Sequence, residues 1–343
     1  MVRKVVFSRH LPHSGVLMKL TNNTGLSLPI AVWLATDEYD SVPLDNYISA
    51  TSLLKPLRVI VLGRRLAASG MVKGGDVSSL IAPRFGTAMH DSIEKAWTGN
   101  HQKALKTLGF PDKVAESIRI NPEVEEPGTV PVYLELRVQK PIAGFIVGGK
   151  FDMVADGRLY DFKTTSTYTY MYNTNEQDYR MQGSIYRWLN PEKVKDDHIY
   201  IQYIFTDWSV ANGRGNPGYP GSRILEFPVS LLSVQETESF IRRKLGQVAK
   251  LANVPESQLP ECNDEELWRS PAKFKYYSDP AKTAGKASKV FDDQAEANRW
   301  RAMKGKGIIV YVGGEVKACR YCPVFGACTQ KDKYIADGSL KLD

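Results

Sequence analysis

Apolar positions return every four residues over Pro83–Thr98, where Phe85, Met89, Ile93 and Trp97 form one stripe and predict a helix. A second helix is predicted from Ser49 or Thr51 to about Leu66, on Leu53, Leu54, Leu57 and Val61, with Pro56 forcing a kink or a later start. From Val130 the period changes. Tyr133–Val138 alternates, then Phe145–Ala155 and Arg158–Thr165 read as strands joined by a short turn. Tyr179–Leu189 returns to helical spacing. His198–Asp207 alternates again, with Ile199, Ile201 and Tyr203 set against Tyr200, Gln202 and Ile204. Gly, Pro and Asn mark Ala211–Ser222 as a loop, Val229–Asn253 reads as a long helix, and a short helix is predicted around Asp293–Met303. The stretch up to Asn46 shows no clear period. Helices interleaved with strands in this way predict an α/β protein, a mixed β-sheet flanked by helices.

One segment carries chemistry. Asp156-Gly157 is the favoured dipeptide of a two-residue type I′ hairpin turn. With those residues as the loop, Ala155 faces Arg158, Val154 faces Leu159 and Met153 faces Tyr160. By the same register Asp152 faces Asp161 and Lys150 faces Lys163. Alternation then puts the four charged side chains on one face, and Phe151, Met153, Tyr160 and Phe162 on the other, towards a core. Two carboxylates about 5 Å apart on facing strands repel, and a hard divalent cation between them removes the conflict. Lys163 on the same face suits phosphodiester hydrolysis, since an ammonium beside a metal can orient water and offset developing charge. The plainer reading of these residues is a solvated hairpin face.

Gly149-Lys-Phe-Asp152 followed by Asp161-Phe-Lys163 resembles the signature of the PD-(D/E)xK nucleases, specifically their RecB-type branch. Gly86-Thr-Ala-Met-His90 resembles the helical histidine motif of that branch, and Gln182-Gly-Ser-Ile-Tyr186 its Gln-x-x-x-Tyr motif. The resemblance covers about His90 to Tyr186. It implies a restriction-endonuclease-like sheet within a nuclease core over 76–254, preceded by a helical or irregular region over 1–75. It further implies Mg²⁺ or Mn²⁺ held by His90, Asp152, Asp161 and Phe162, and catalysis by Asp152, Asp161, Lys163, Gln182 and Tyr186. Gln182 and Tyr186, one turn apart, would order the site or touch DNA, where a polar helix edge is the alternative. Glu135 resembles an acidic residue often found on the preceding strand, and an exposed strand position fits it equally.

Cys319-x2-Cys322-x5-Cys328 closes the chain with soft ligands at metal-binding spacing. The triplet resembles the one that completes an iron–sulfur cluster in RecB-type nucleases such as AddB and the CRISPR-associated adaptation nucleases. In those relatives the first cysteine precedes the histidine motif; here Cys262 is the sole candidate for a fourth ligand. A cysteine-stapled module over 255–343 is expected, holding a four-iron–four-sulfur cluster, with Zn²⁺ as the alternative.

Composition adds little and excludes some classes. The chain has 343 residues and a net charge of +7, which favours an anionic partner. Lys273, Lys275, Lys282, Lys286 and Lys289, interleaved with Phe274, Tyr276 and Tyr277, could follow phosphates or simply be solvated. No apolar run approaches bilayer length, Arg3 and Lys4 are followed by no leader-like apolar segment, and no P-loop is present. These features suggest a cytoplasmic protein without ATP-driven unwinding. The expected activity is metal-dependent exonucleolytic cleavage of single-stranded DNA or DNA ends, in phage-type recombination, replication or repair, beside a recombination or replication partner. A CRISPR-associated spacer-processing nuclease and a non-catalytic, cluster-bearing DNA-binding protein are the alternatives.

Overall fold

The structure is a computed structural model, and it describes residues 20–36, 42, 44, 46–69 and 75–342; Arg3 and Lys4 lie outside these. It is a mixed α/β protein. The chain divides into two compact units, Met1–Leu54 with Gly70–Arg243, and Lys55–Ser69 with Lys244–Asp343.

The first unit contains α1 (Ile81–Thr107), β1 (Val130–Leu134), β2 (Arg137–Ile142), β3 (Phe145–Lys150), β4 (Met153–Ala155), β5 (Arg158–Thr165), α2 (Glu176–Leu189), β6 (His198–Phe205) and β7 (Ile224–Ser230). A six-stranded mixed sheet runs β7-β6-β5-β4-β1 and ends in the strand Ile118–Ile120. A three-stranded sheet places β3 between β2 and the strand Tyr47–Ser49. The sheet core is built from alternating positions: Ile199, Ile201, Tyr203 and Phe205 of β6 are buried while their neighbours are half-exposed. Helix α2 packs closely because Gly183 has no Cβ, which would otherwise sit 2.9 Å from Cβ of Ile199. Helix α1 exceeds the predicted span, and none of its residues is fully buried. Trp97 packs on the sheet, whereas Phe85 is exposed and meets Trp33 edge-on.

Two predicted strands are each broken in two. Tyr133–Val138 divides at Glu135, whose φ of 50° is left-handed, and Phe145–Ala155 divides at Phe151–Asp152. These breaks face one another. The pairs Arg137–Lys150 and Leu134–Met153 lie on either side of them in a single antiparallel register, and the Glu135 amide donates to the Asp152 carbonyl at 3.0 Å. A long hairpin, closed by Ala143-Gly144 at φ 51° and 80°, therefore bends between the two sheets.

The second unit begins with the helix Leu57–Ala68, for which Pro56 is the N-cap rather than a kink. It continues from α3 (Val234–Leu251), within which the boundary between the units falls, to β8 (Lys273–Tyr277), β9 (Lys289–Phe291), α4 (Gln294–Lys304) and β10 (Ile308–Val312). The predicted helix from Val229 starts five residues later, at Val234. Val229 belongs to β7, an edge strand that can carry Pro228 and whose half-solvated residues give a weak pattern. Short 3-10 turns carry the C-terminal cysteines. No described helix is long and apolar enough to cross a membrane, and the apolar run Leu28–Ala35 forms a helix of eight residues.

Candidate active site

The Asp156-Gly157 turn forms as its sequence dictates, with φ of 48° and 80°. The predicted pairs Ala155–Arg158, Val154–Leu159 and Met153–Tyr160 are all present. The ladder ends there. Asp152 leaves it at the bend, and its Oδ2 accepts the Phe162 amide at 2.8 Å instead. The expected opposition of Lys150 and Lys163 does not occur: Lys150 pairs with Arg137 on β2, and Lys163 lies beside Tyr203 of β6. The physical reason is the bend, which carries Lys150 into the other sheet.

What replaces it is a cluster of acids at the bend. Asp152 sits across from Glu135, whose amide bonds its carbonyl, and instead of pairing with Asp161 it accepts the Phe162 amide one residue further on. His90 reaches the cluster from α1. Its Nε2 lies 2.9 Å from the Phe162 carbonyl, which can only accept, so Nε2 carries a proton. Its Nδ1 then faces Asp152 Oδ1 at 3.5 Å and Glu135 Oε1 at 3.8 Å. The ligand atoms of His90, Glu135 and Asp152 all fall within 4.8 Å of one another. The main chain of Phe162 holds two of these three groups, Asp152 by its N–H and His90 by its C=O.

Asp161 is 1% exposed, and its two oxygens are engaged separately. Oδ2 pairs with Lys163 Nζ at 2.5 Å, and Oδ1 accepts from Gln182 Nε2 at 3.1 Å. Gln182 also donates to the Tyr186 hydroxyl at 3.0 Å. Tyr186 lies flat against the backbone at Gly149, where a Cβ would be 2.8 Å from its ring. The glycine of the Gly149–Asp152 signature thus makes room for the tyrosine of the other motif. Lys150, exposed at its tip, forms an ion pair with Glu135.

Charge crowding shows in the proton affinities. Burial, and then the negative charge of Asp161, push Asp152 up to about 7. Burial works against the charge on His90, but Glu135, Asp152, the Phe162 carbonyl and Asp161 outweigh it and raise His90 to about 9. Burial also opposes the charge on Lys163, and Asp161 and Asp152 reverse that, so the ammonium keeps its proton. Glu135 is raised by burial but lowered overall by His90 and Lys150. A neutral His90 would aim its Nδ1 lone pair at two carboxylates. Either a proton or a metal ion must sit there, and one imidazole with two carboxylates is a donor set for a divalent ion.

Its local sequence alone does not decide the role of Glu135. A signal was available in Ala143-Gly144: read as a two-residue turn, it places Glu135 directly across from Asp152.

In the second unit all four cysteines are free and half-buried. Burial first, then Glu266 and the other three thiols, push Cys262 up to about 12, so the four lie within electrostatic reach. Burial raises Cys319 and Cys322 as well. Cys262 is held by its backbone, whose N–H and C=O both bond the Gln330 amide at 2.9 Å. Arg58 donates to Cys328 Sγ at 3.1 Å and pairs with Glu256. Among the described residues no three cysteine sulfurs lie within 4.8 Å of one another.

No protein-family model matches the chain, and no curated protein matches it. Among solved structures, the crystal structure of SSO0001 aligns over 66% of this chain and 85% of its own, at 16% identity and a TM-score of 0.37. A likeness that weak carries no assignment.

Proposed function

We propose that this chain is a divalent-metal-dependent DNA nuclease of the RecB-type branch of the PD-(D/E)xK enzymes, its first unit a restriction-endonuclease-like core. The observation that carries this reading is the acidic cluster Glu135, Asp152 and Asp161, with His90 Nδ1 facing two of its members and the Lys163 ammonium on the third. His90, Glu135 and Asp152 would hold Mg²⁺ or Mn²⁺, and the imidazole leans the preference towards Mn²⁺. When bound, such an ion lowers the pKa of a coordinated water and offsets charge on a phosphate.

The chain's own groups do the rest. Lys163 stays cationic and is placed to neutralise a phosphate oxygen rather than to take a proton. Gln182 fixes the Asp161 carboxylate, and Tyr186 fixes Gln182, so a deletion at either acts through Asp161. The substrate we propose is single-stranded DNA or DNA ends, in phage-type recombination, replication or repair.

In the second unit we propose that Cys262, Cys319, Cys322 and Cys328 hold a four-iron–four-sulfur cluster. Four half-buried thiols within electrostatic reach of one another support a thiolate-bound metal group, with Zn²⁺ as the alternative to the cluster.

The test uses end-labelled single- and double-stranded DNA with Mn²⁺ or Mg²⁺. The parent should cleave, EDTA should stop it, and Asp161→Asn should slow it by about a hundredfold or more. A parent inert on every DNA with both metals, or an Asp161→Asn variant cleaving at the parent rate, overturns the proposal.

A further inference from the structure

The basic and aromatic stretch that begins at Lys273 is not used by the site described above. In the structure it becomes a ββαβ unit, with the sheet order β9-β8-β10 and α4 on one face. Residues 273–312 hold nine Lys or Arg against four Asp or Glu, a surplus of five where the whole chain has +7. Most of the protein's net charge is therefore concentrated here.

An open cleft of about 350 Å³ lies between β9 and α4, lined by Lys289, Phe291, Glu296, Arg299, Trp300 and Met303. Lys289 Nζ sits 3.7 Å from the Trp300 ring centre and Lys304 Nζ 4.8 Å from it. Two ammoniums sharing one ring repel each other, and an anion beside them relieves that. From Trp300 an aromatic row continues across the sheet: Phe291 at 6.1 Å, Phe274 paired with it, and Tyr311 paired with Phe274. Tyr311 is 64% exposed. Two inter-strand steps, about 10 Å, separate Phe291 from Tyr311.

We propose that the cleft binds single-stranded nucleic acid. Phosphate oxygens meet Lys289, Lys304 and Arg299, and an unpaired base stacks on Tyr311. Phosphate contacts give affinity without sequence preference, and an open aromatic face selects unpaired bases. The ligand class rests on the nuclease reading; the cleft and its charge do not.

The experiment measures fluorescence anisotropy of a labelled thymidine oligonucleotide in EDTA, with the full-length protein and the double variant Lys289→Glu/Arg299→Glu. Both side chains are exposed, and equal melting temperatures establish folding. Affinity should fall at least about tenfold at low salt, and the slope of log K against log salt should flatten by about 1.4, the share of two phosphate contacts. Tyr311→Ala, which removes the stacking ring, should also weaken binding. Unchanged affinity and slope in the double variant overturn the site. Equal weakening towards a duplex of the same length overturns the assignment to single strands. A parent that binds this strand through the cleft but cleaves no DNA sinks the nuclease reading alone; a parent that cleaves while the double variant binds unaltered sinks the cleft alone.

Discussion

Gly149→Ala tests the packing that links the two motifs of the candidate site. A Cβ added there would lie 2.8 and 3.0 Å from two ring carbons of Tyr186 and 3.1 Å from Leu189 Cδ1. Carbon atoms rest at about 3.5–4.0 Å, so the ring has to retreat by roughly 1 Å. Tyr186 is 5% exposed, and little free space receives it. Its hydroxyl carries the bond to Gln182, and a retreat of that size breaks a contact of 3.0 Å. Overpacking costs about 1–3 kcal/mol and the lost buried hydrogen bond about 1 kcal/mol, together about 2–4 kcal/mol.

For a unit of this size that lowers the melting temperature by about 4–16 °C. Circular dichroism melts without metal provide the measurement. Cleavage should fall too, because Gln182 loses the group that braces it against Asp161. Tyr186→Ala removes the obstacle, so the double variant should be less destabilised than the sum of the singles by about 1 kcal/mol or more. A Gly149→Ala protein melting within about 1 °C of the parent, or strict additivity with Tyr186→Ala, refutes the reasoning.

Two further outcomes follow from the charges and the thiols. His90 holds its proton up to about 9, so at lower pH that proton competes with Mn²⁺ for Nδ1. Mn²⁺ affinity measured by calorimetry should therefore rise about tenfold per pH unit between 7 and 9, with about one proton released per ion, and a flat profile refutes the assignment of Nδ1. Protein purified without air should absorb visible light and contain about four irons per chain, and Cys319→Ser should lose both; a colourless protein holding one zinc ion refutes the cluster.

The hairpin at Asp156-Gly157 was legible because its turn chemistry is local: two residues fix a register, and a register fixes which side chains share a face. The pairs from Met153 to Ala155 follow from that alone. The bend was not legible, since nothing local marks Glu135 for a positive φ; only the sheets on either side hold it there. The strands of the ββαβ unit escaped for a related reason. Lys273 and Lys275 alternate with Phe274 and Tyr276, and such a pattern suits a loop as well as a short strand. Gln182 and Tyr186 showed as a helical pair, but their target, Asp161, depends on how α2 crosses the sheet. That crossing is set by Gly183 and Gly149, whose missing side chains count only once the partner element is known.

Opposed carboxylates call for a cation between them. In the structure the acids brought together are Glu135, Asp152 and Asp161. Two turns, Ala143-Gly144 and Asp156-Gly157, set two registers, and Asp152 is the residue where they meet. Like charges are thereby brought together at the bend, and each carboxylate has a basic group assigned: Lys150 for Glu135, His90 for Asp152 and Lys163 for Asp161. Of these, only His90 becomes a metal ligand on giving up its proton, which it holds up to about 9. It faces the two carboxylates that lie closest to it, while Lys163 holds the third apart. The arrangement thus separates a place for an exchangeable cation from a place for a fixed one. Because strand periodicity is two, a one-residue shift in either turn would turn its strand over and dissolve both places at once.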